Sequence, residues 1–123
     1  MNKEIILQEL ESMIRTLDFI QEEQAFIKRK LSSLLENIVM SDVVAWAEDL
    51  HQEILNREVA IQLLNRDVIN LRNLVKAKKS VNNIIDPTTV AEYKKYKQQV
   101  GYIETEFFTW KNIANEKFES ALY

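Results

Sequence analysis

The chain has 123 residues, of which 46% are hydrophobic and 28% charged, and its net charge at pH 7 is −3. One glycine and one proline are too few for the frequent turns of a sandwich, a barrel or a βα fold, and the absence of cysteine excludes disulfide scaffolds and thiolate chemistry. The composition predicts an all-α protein with one domain over residues 1–123, built from a few long helices.

The first predicted helix covers residues 3–39 and carries a heptad repeat. Its apolar positions follow one another at alternating intervals of four and three residues, which places them on one side of a helix, here called the seam. The seam consists of Ile6, Leu10, Met13, Leu17, Ile20, Gln24, Ile27, Leu31, Leu34 and Ile38. Gln24 is its one polar member, so the apolar pattern is almost unbroken.

The second predicted helix covers residues 42–80 and has the same 4,3 spacing, but its phase is displaced by two residues. One continuous helix through residue 40 is therefore not expected. Its seam consists of Val43, Ala47, Leu50, Ile54, Arg57, Ile61, Leu64, Val68, Leu71 and Val75. Ser41 or Asp42 is expected to cap its first turn by accepting a hydrogen bond from a free backbone N–H.

The end of the second helix is marked by charge and by two asparagines. Lys76, Lys78 and Lys79 are expected in its last turn, where cations favour the negative end of the helix dipole. Asn82 and Asn83 follow, and asparagine tolerates the left-handed backbone conformation that ends many helices.

The two seams predict an antiparallel hairpin. In such a hairpin the residue numbers of two facing residues always add up to the same value. When the seam residues of the two helices are paired in opposite order, all ten pairs add up to 81. The turn is therefore expected between Met40 and Ser41. Gln24 and Arg57 fall in the same layer.

This polar layer needs partners for its buried guanidinium, because an unpaired buried charge costs several kcal/mol. Gln24 is expected to accept one hydrogen bond from Arg57, and Glu53 and Glu106 are candidates for a carboxylate. If the second connection centres near residue 84, Trp110 lies close enough to stack on Arg57. The layer is interpreted as a device that fixes helix register, with a ligand or partner site as the alternative.

The third predicted helix covers residues 87–121. Asp86 followed by Pro87 is typical of an N-cap and a first helical residue, while Thr89 and Glu92 offer a capping box three residues later. Its seam is less regular and more aromatic. It consists of Tyr93, Tyr96, Val100, Ile103, Phe107, Trp110, Ala114, Lys117 and Ala121.

The three helices are predicted to pack as an elongated, coiled-coil-like bundle in up-down-up order, about 50 Å long. Gly101 lies outside the third seam, where a slight kink or a close helix contact is expected. Phe19 and Phe26, seven residues apart on the outer face of the first helix, predict a contact with a second copy and hence a homodimer. Further apolar residues off the seams are Ile5, Leu55, Val59, Leu63, Ile69, Tyr102 and Phe108.

His51 is the only histidine. Glu48 and His51 have the spacing of half a di-iron motif, but a second such motif cannot exist without a second histidine. The segment 49–53 resembles the phosphoacceptor stretch of histidine-kinase dimerisation helices, which implies a phosphotransfer bundle using His51 as one alternative. A surface histidine without a chemical role is the simpler interpretation.

Positive charge is concentrated in residues 72–97, which contain seven cationic residues and only two carboxylates. Residues 1–24, in contrast, carry a net charge of −4. The cations are Arg72, Lys76, Lys78, Lys79, Lys94, Lys95 and Lys97. They give a second alternative, a patch for nucleic acid or another anionic partner. Because the hairpin brings the acidic segment to the same end, internal neutralisation is favoured over nucleic-acid binding.

The segments SMIRTLDFIQEEQAFIKRKLSSLLENI and LNREVAIQLLNRDVINL resemble small, uncharacterised bacterial coiled-coil proteins. That resemblance implies no activity and no site residues. The sequence offers no motif for a catalytic, cofactor or metal site, and no apolar stretch of signal-peptide or membrane-span length, so the cytoplasm is expected. The sequence predicts a non-enzymatic helical module for protein–protein interaction or scaffolding, with the two alternatives above.

Overall fold

Three long helices make up nearly all of the protein. The computed structural model describes residues 1–37, 41–79 and 81–122. The helices are α1 (Lys3–Asn37), α2 (Ser41–Ala77) and α3 (Pro87–Leu122), with one 3₁₀ turn at Val81–Asn83 between α2 and α3. The predicted all-α three-helix bundle is confirmed.

The predicted seams of α1 and α2 form the core of the bundle. Every described seam residue of α1, from Ile6 to Leu34, is buried, and no other residue of α1 is. Nine of the ten seam residues of α2 are buried as well, while Arg57 is partly exposed. Ile38 and Met40 lie outside the described residues, as does the side chain of Ser41, so the turn and cap expected there are not described.

Polar contacts across α1 and α2 show the antiparallel register. Asn65 donates a hydrogen bond to Asp18 over 3.0 Å, and the Gln21 side chain donates to the backbone oxygen of Glu58 over 3.0 Å. If the numbers of facing residues add up to 81, residue 63 lies opposite Asp18 and residue 60 lies opposite Gln21. The register therefore agrees with the seam analysis to within two residues.

The end of α2 differs from the prediction. The helix ends at Ala77, so that Lys76 alone is in its last turn and Lys78 and Lys79 lie beyond it. The Lys3 ammonium reaches across from α1 and donates to the carbonyl oxygens of Lys76 and Lys78 at 3.3 and 2.8 Å. A cation does cap the negative end of α2, as basic side chains commonly do, but it comes from another helix.

The connection from α2 to α3 is short and well bonded. Asn82 and Asn83 adopt φ values of 61° and 59°, the left-handed conformation expected of them, but they lie in the 3₁₀ turn and do not end α2, which stops at Ala77. Ile85 is buried, and its N–H donates to the carbonyl oxygen of Met1 over 3.0 Å. An isolated antiparallel bridge between Asn2 and Ile84 adds to this contact. The residues before α1 are thereby held against the connection.

The start of α3 follows the first of the two predicted capping arrangements. The Asp86 carboxylate accepts hydrogen bonds from the backbone N–H and the hydroxyl of Thr89, at 3.1 and 2.9 Å. Pro87 is the first helical residue, where its missing N–H costs nothing. Asp86, and not Thr89, is thus the N-cap.

The predicted seam of α3 is wrong at Lys117 only, since Ala121, like Tyr96 and Ile103, is partly buried against the core. Lys117 is exposed, and Phe118 is buried in its place. The Phe118 ring packs edge-on against Trp46, with 6.1 Å between ring centroids, and the Lys30 ammonium lies 4.9 Å from its centroid. Two successive intervals of four residues bring Phe118 inward, because a straight helix drifts away from a strict heptad.

Gly101 does not make the close helix contact that the sequence suggested. It is exposed, and beyond its own helical turn no atom lies within 4 Å of the place that a Cβ would occupy. α3 continues through it without interruption.

Candidate functional site

Arg57 is the centre of a polar cluster that joins α2 to α3. Its Nη1 donates to Glu106 Oε2 over 2.7 Å, and Nη2 donates to the other carboxylate oxygen, so the pair is bidentate. The guanidinium carbon lies 4.5 Å from the centroid of the Trp110 ring. The expected stacking and the carboxylate at Glu106 are confirmed. Glu53 has another role, because it accepts the Trp110 indole N–H at 2.9 Å.

The cluster satisfies its own charges. Arg57 has a side chain that is 17% exposed, and its guanidinium is neutralised by Glu106 and covered by Trp110. Glu53 lies at the surface, so its carboxylate is exposed to solvent. An open groove of about 410 Å³ lies beside Arg57, Glu106 and Trp110. Because the guanidinium is already held by a planar bidentate contact, the geometry fits a register device better than an anion site.

Gln24 is fully buried but does not complete this cluster. Its Nε2 donates to Gln21 Oε1 over 2.9 Å. Among the described residues no hydrogen bond joins Gln24 to Arg57, and Gln24 Oε1 is buried without a partner. The expectation that Gln24 accepts a hydrogen bond in the Arg57 layer is therefore wrong. A buried acceptor left unpaired costs about 1–3 kcal/mol.

The basic residues of segment 72–97 are largely engaged within the chain. Lys76 lies 3.6 Å from Glu11, and Lys97 lies 3.1 Å from Glu9, so the acidic start of α1 neutralises them as expected. Arg72 donates to the side chain of its neighbour Asn73. The remaining exposed members of the patch are Lys79, Lys94 and Lys95, the last lying 5.6 Å from the Tyr96 ring centroid.

Lys78 belongs to the same patch and forms an ion pair with Asp86 at 2.7 Å. This ammonium, followed by the backbone N–H of Thr89, lowers the pKa of the Asp86 carboxyl from 3.8 to about 2. Hydrogen bonds to the ionised form favour it. The patch thus uses this lysine to hold the start of α3.

His51 is exposed on α2. Within residues 1–37, 41–79 and 81–122, no group of three or more histidine, cysteine or carboxylate side chains is placed to hold a metal ion. Of the two alternatives raised by the sequence, phosphotransfer through His51 gains no supporting contact among the described residues.

Two ion pairs set α1 and α3 side by side in the same direction. Glu9 lies 3.1 Å from Lys97, and Glu23 lies 2.8 Å from Lys111. In both pairs the residue numbers differ by 88. A residue of α1 is therefore level with the residue of α3 that is 88 positions later in the chain.

Three phenylalanines on α1 and α3 are exposed, further along the bundle than the groove between these two helices. Phe19 is 47% exposed, Phe26 56% and Phe108 47%. Ser12 and Gly101 line the groove itself, which has a volume of about 340 Å³. Phe19 follows Ser12 by one heptad and Phe108 follows Gly101 by one heptad, so both rings lie along the same surface. We call this surface, with Phe19, Phe26 and Phe108, the aromatic face.

The sequence showed that Phe108 lies off the α3 seam, but it did not associate this residue with Phe19. The two residues are brought together by the difference of 88 between level residues of α1 and α3, which makes Phe19 level with residue 107. Another open groove, of about 620 Å³, lies between α2 and α3 and is bordered by Ala60, Lys95 and Tyr102.

Comparisons with protein-family models, with curated proteins and with solved structures found no match. In the part of the chain that the structure describes, no helix is long and apolar enough to cross a membrane. The fold and its surfaces define a three-helix, coiled-coil-like bundle that carries the Arg57 polar cluster and the aromatic face.

Proposed function

We propose that this chain is a cytoplasmic, non-enzymatic helical interaction module that acts as a homodimer and scaffolds other proteins through that assembly. The observation that carries the proposal is the aromatic face. Its three phenylalanines are each about half exposed and lie on one side of the rod. Exposed aromatic side chains grouped on one side of a bundle are typical of interaction sites.

The dimensions of this face support a second copy as its occupant. α1 has 35 residues and is therefore about 50 Å long. Two neighbouring helices make the whole side of the bundle that carries this face about 20 Å wide, hence about 1,000 Å² on each copy. Stable protein–protein interfaces bury about 1,200–2,000 Å² in total, so two such faces provide enough surface. Phe19 and Phe108 lie between the levels of the Glu9–Lys97 and Glu23–Lys111 ion pairs, and Phe26 lies beyond the second pair. Aromatic side chains are enriched in the cores of interfaces.

Light scattering tests the proposal. The protein should have about twice the monomer mass of 14.5 kDa, and the double substitution Phe19→Glu with Phe26→Glu should reduce it to the monomer mass. Carboxylates at these positions would have to be desolvated in the interface without a partner.

Val59→Glu is the matched control. Val59 lies on α2 and is 56% exposed, the same fraction as Phe26, but it is not part of the aromatic face. This variant should keep the dimer mass. A monomer at high protein concentration, or equal dissociation by Val59→Glu, would contradict the proposal.

A further inference from the structure

We infer that the two copies pack in parallel, with their aromatic faces together and a two-fold axis along the rod, so that α1 of each copy faces α3 of the other. This inference rests on the proposed homodimer and adds its geometry. A two-fold interface is isologous, which means that every contact occurs twice. The arrangement follows from how the residues of the face are distributed between α1 and α3.

Phe19 and Phe108 are placed to meet across such an axis. An axis along the rod keeps every residue at its own level and exchanges α1 with α3. Phe19 is level with residue 107. It therefore faces Phe108 of the partner subunit, which is the next residue along α3. The symmetry repeats this contact, which produces two aromatic pairs. Aromatic pairs are favourable beyond the area they bury.

The ion pairs favour the same arrangement. Glu9 and Lys97 lie at one level, and Glu23 and Lys111 at another. When α1 faces α3 of the partner subunit, each of these glutamates faces a lysine. Each level then holds four charges in alternation, which is electrostatically complementary.

The antiparallel alternative turns one copy end over end, so that α1 faces α1 of the partner subunit. Superposing the two ion-pair levels then places Glu9 against Glu23 of the partner subunit, and Lys97 against the partner's Lys111. Like charges facing one another select against that arrangement.

The single glycine of the chain fits this geometry. Gly101 lies on the aromatic face, next to residue 100, which is level with Ser12. In the parallel dimer Gly101 faces Ser12 of the partner subunit, and the absence of a side chain allows the two backbones to approach. Glycine within a helix costs about 1 kcal/mol relative to alanine, and a close approach explains why it is used here.

A distance measurement tests the direction. Because the chain has no cysteine, Glu36→Cys gives one labelling site, in an exposed position near the end of α1. Pulsed electron spin resonance on the spin-labelled protein should give a distance of roughly 15–30 Å, since both labels lie at the same end of the rod. The antiparallel arrangement centred between the ion pairs gives about 60 Å at 1.5 Å per residue.

The mass of the labelled protein separates the two proposals. A dimer mass with the short distance supports the parallel arrangement. A dimer mass with a distance near 60 Å overturns the parallel arrangement and leaves the homodimer intact. A monomer mass overturns the proposed function itself.

Exchanging the charges of the two ion pairs gives an independent test, because the parallel and antiparallel arrangements predict opposite changes in the share of heterodimers. The variant with Glu9→Lys, Glu23→Lys, Lys97→Glu and Lys111→Glu keeps both ion pairs within the chain and still pairs with itself in the parallel arrangement. Mixed with the original protein, it puts like charges opposite each other, so heterodimers should fall clearly below the statistical share of one half in native mass spectrometry. An excess of heterodimers would overturn the inference, because only the antiparallel arrangement gains from mixing. Heterodimers at the statistical share would overturn it as well.

Discussion

The guanidinium carbon of Arg57 lies over the indole of Trp110, 4.5 Å from the ring centroid, and the guanidinium binds Glu106 with both of its terminal nitrogens. Arg57 belongs to α2, and its two partners belong to α3, one turn apart. A shift of α3 by one turn would break the bidentate contact and the stacking together. The polar cluster therefore fixes how far α3 slides along α2, whereas the seams fix α1 against α2.

Substitution of Arg57 should separate its packing from its charge. We expect Arg57→Ala to lower the free energy of unfolding by about 1–3 kcal/mol, because Glu106 loses its partner and Trp110 its cover. Arg57→Leu should cost less, since leucine fills space that alanine leaves empty. Urea unfolding of both variants provides the measurement. A leucine variant less stable than the alanine variant would show that the charge outweighs the packing.

Replacing Gln24 with leucine should stabilise the protein by about 1 kcal/mol. Leucine removes the buried Oε1 atom that has no hydrogen-bond partner and keeps most of the volume. Gln24→Ala should destabilise the protein, because it leaves a cavity between buried neighbours. Thermal unfolding of the two variants distinguishes the effects. If Gln24→Leu lowers the melting temperature, the hydrogen bond from Gln24 to Gln21 stabilises the protein by more than the unpaired Oε1 atom destabilises it.

The end of α3 offers a test with neighbouring residues. Phe118→Ala should cost about 3–5 kcal/mol, because Phe118 is buried and packs against Trp46. Lys117→Ala should change the free energy of unfolding by no more than about 0.5 kcal/mol, since Lys117 is exposed. The same urea experiment measures both. Comparable losses at the two positions would mean that α3 is rotated about its axis so that Lys117 also packs against the core.

Acid should weaken the start of α3 through Asp86. Its pKa is lowered from 3.8 to about 2 in the folded protein, so the folded state binds this proton less readily than the unfolded state does. The resulting stabilisation is complete above the unfolded pKa and is lost as the pH falls from about 4 towards 2. Asp86→Asn keeps a capping side chain but cannot titrate. Denaturant unfolding should show the original protein more stable at pH 5 than the variant, with a difference that shrinks towards pH 2. A difference that is independent of pH would exclude this carboxylate as its source.

The sequence was sufficient for the hairpin because its two seams are long and almost purely apolar. Burial of a stripe with a period near 3.6 residues decides which side of each helix faces inward, and no loop geometry enters. Phe118 was missed for the opposite reason. A strict heptad predicts Lys117 as the core residue that follows Ala114. The next residue, Phe118, is buried instead, because its aromatic ring is apolar and the lysine ammonium is not.

The polar cluster shows the same limit. The sequence identified the candidates Glu53 and Glu106, but the choice between them depends on how α3 is positioned along α2. The pairs Arg57–Glu106 and Glu53–Trp110 place the centre of the connection between residues 81 and 82, not near residue 84. That position follows from the early end of α2 at Ala77 and from the burial of Ile85, and neither has a periodic signal in the sequence.

The hydrogen bond from Ile85 N–H to the carbonyl oxygen of Met1 has a consequence for deuterium exchange. An amide in a connection between helices ordinarily exchanges quickly, because no helical carbonyl protects it. Here the acceptor is a residue that precedes α1, so protection of Ile85 depends on the docking of the first two residues. Its exchange rate reports on opening at that end of the rod, separately from the cooperative unfolding that exposes the amides of the buried seams.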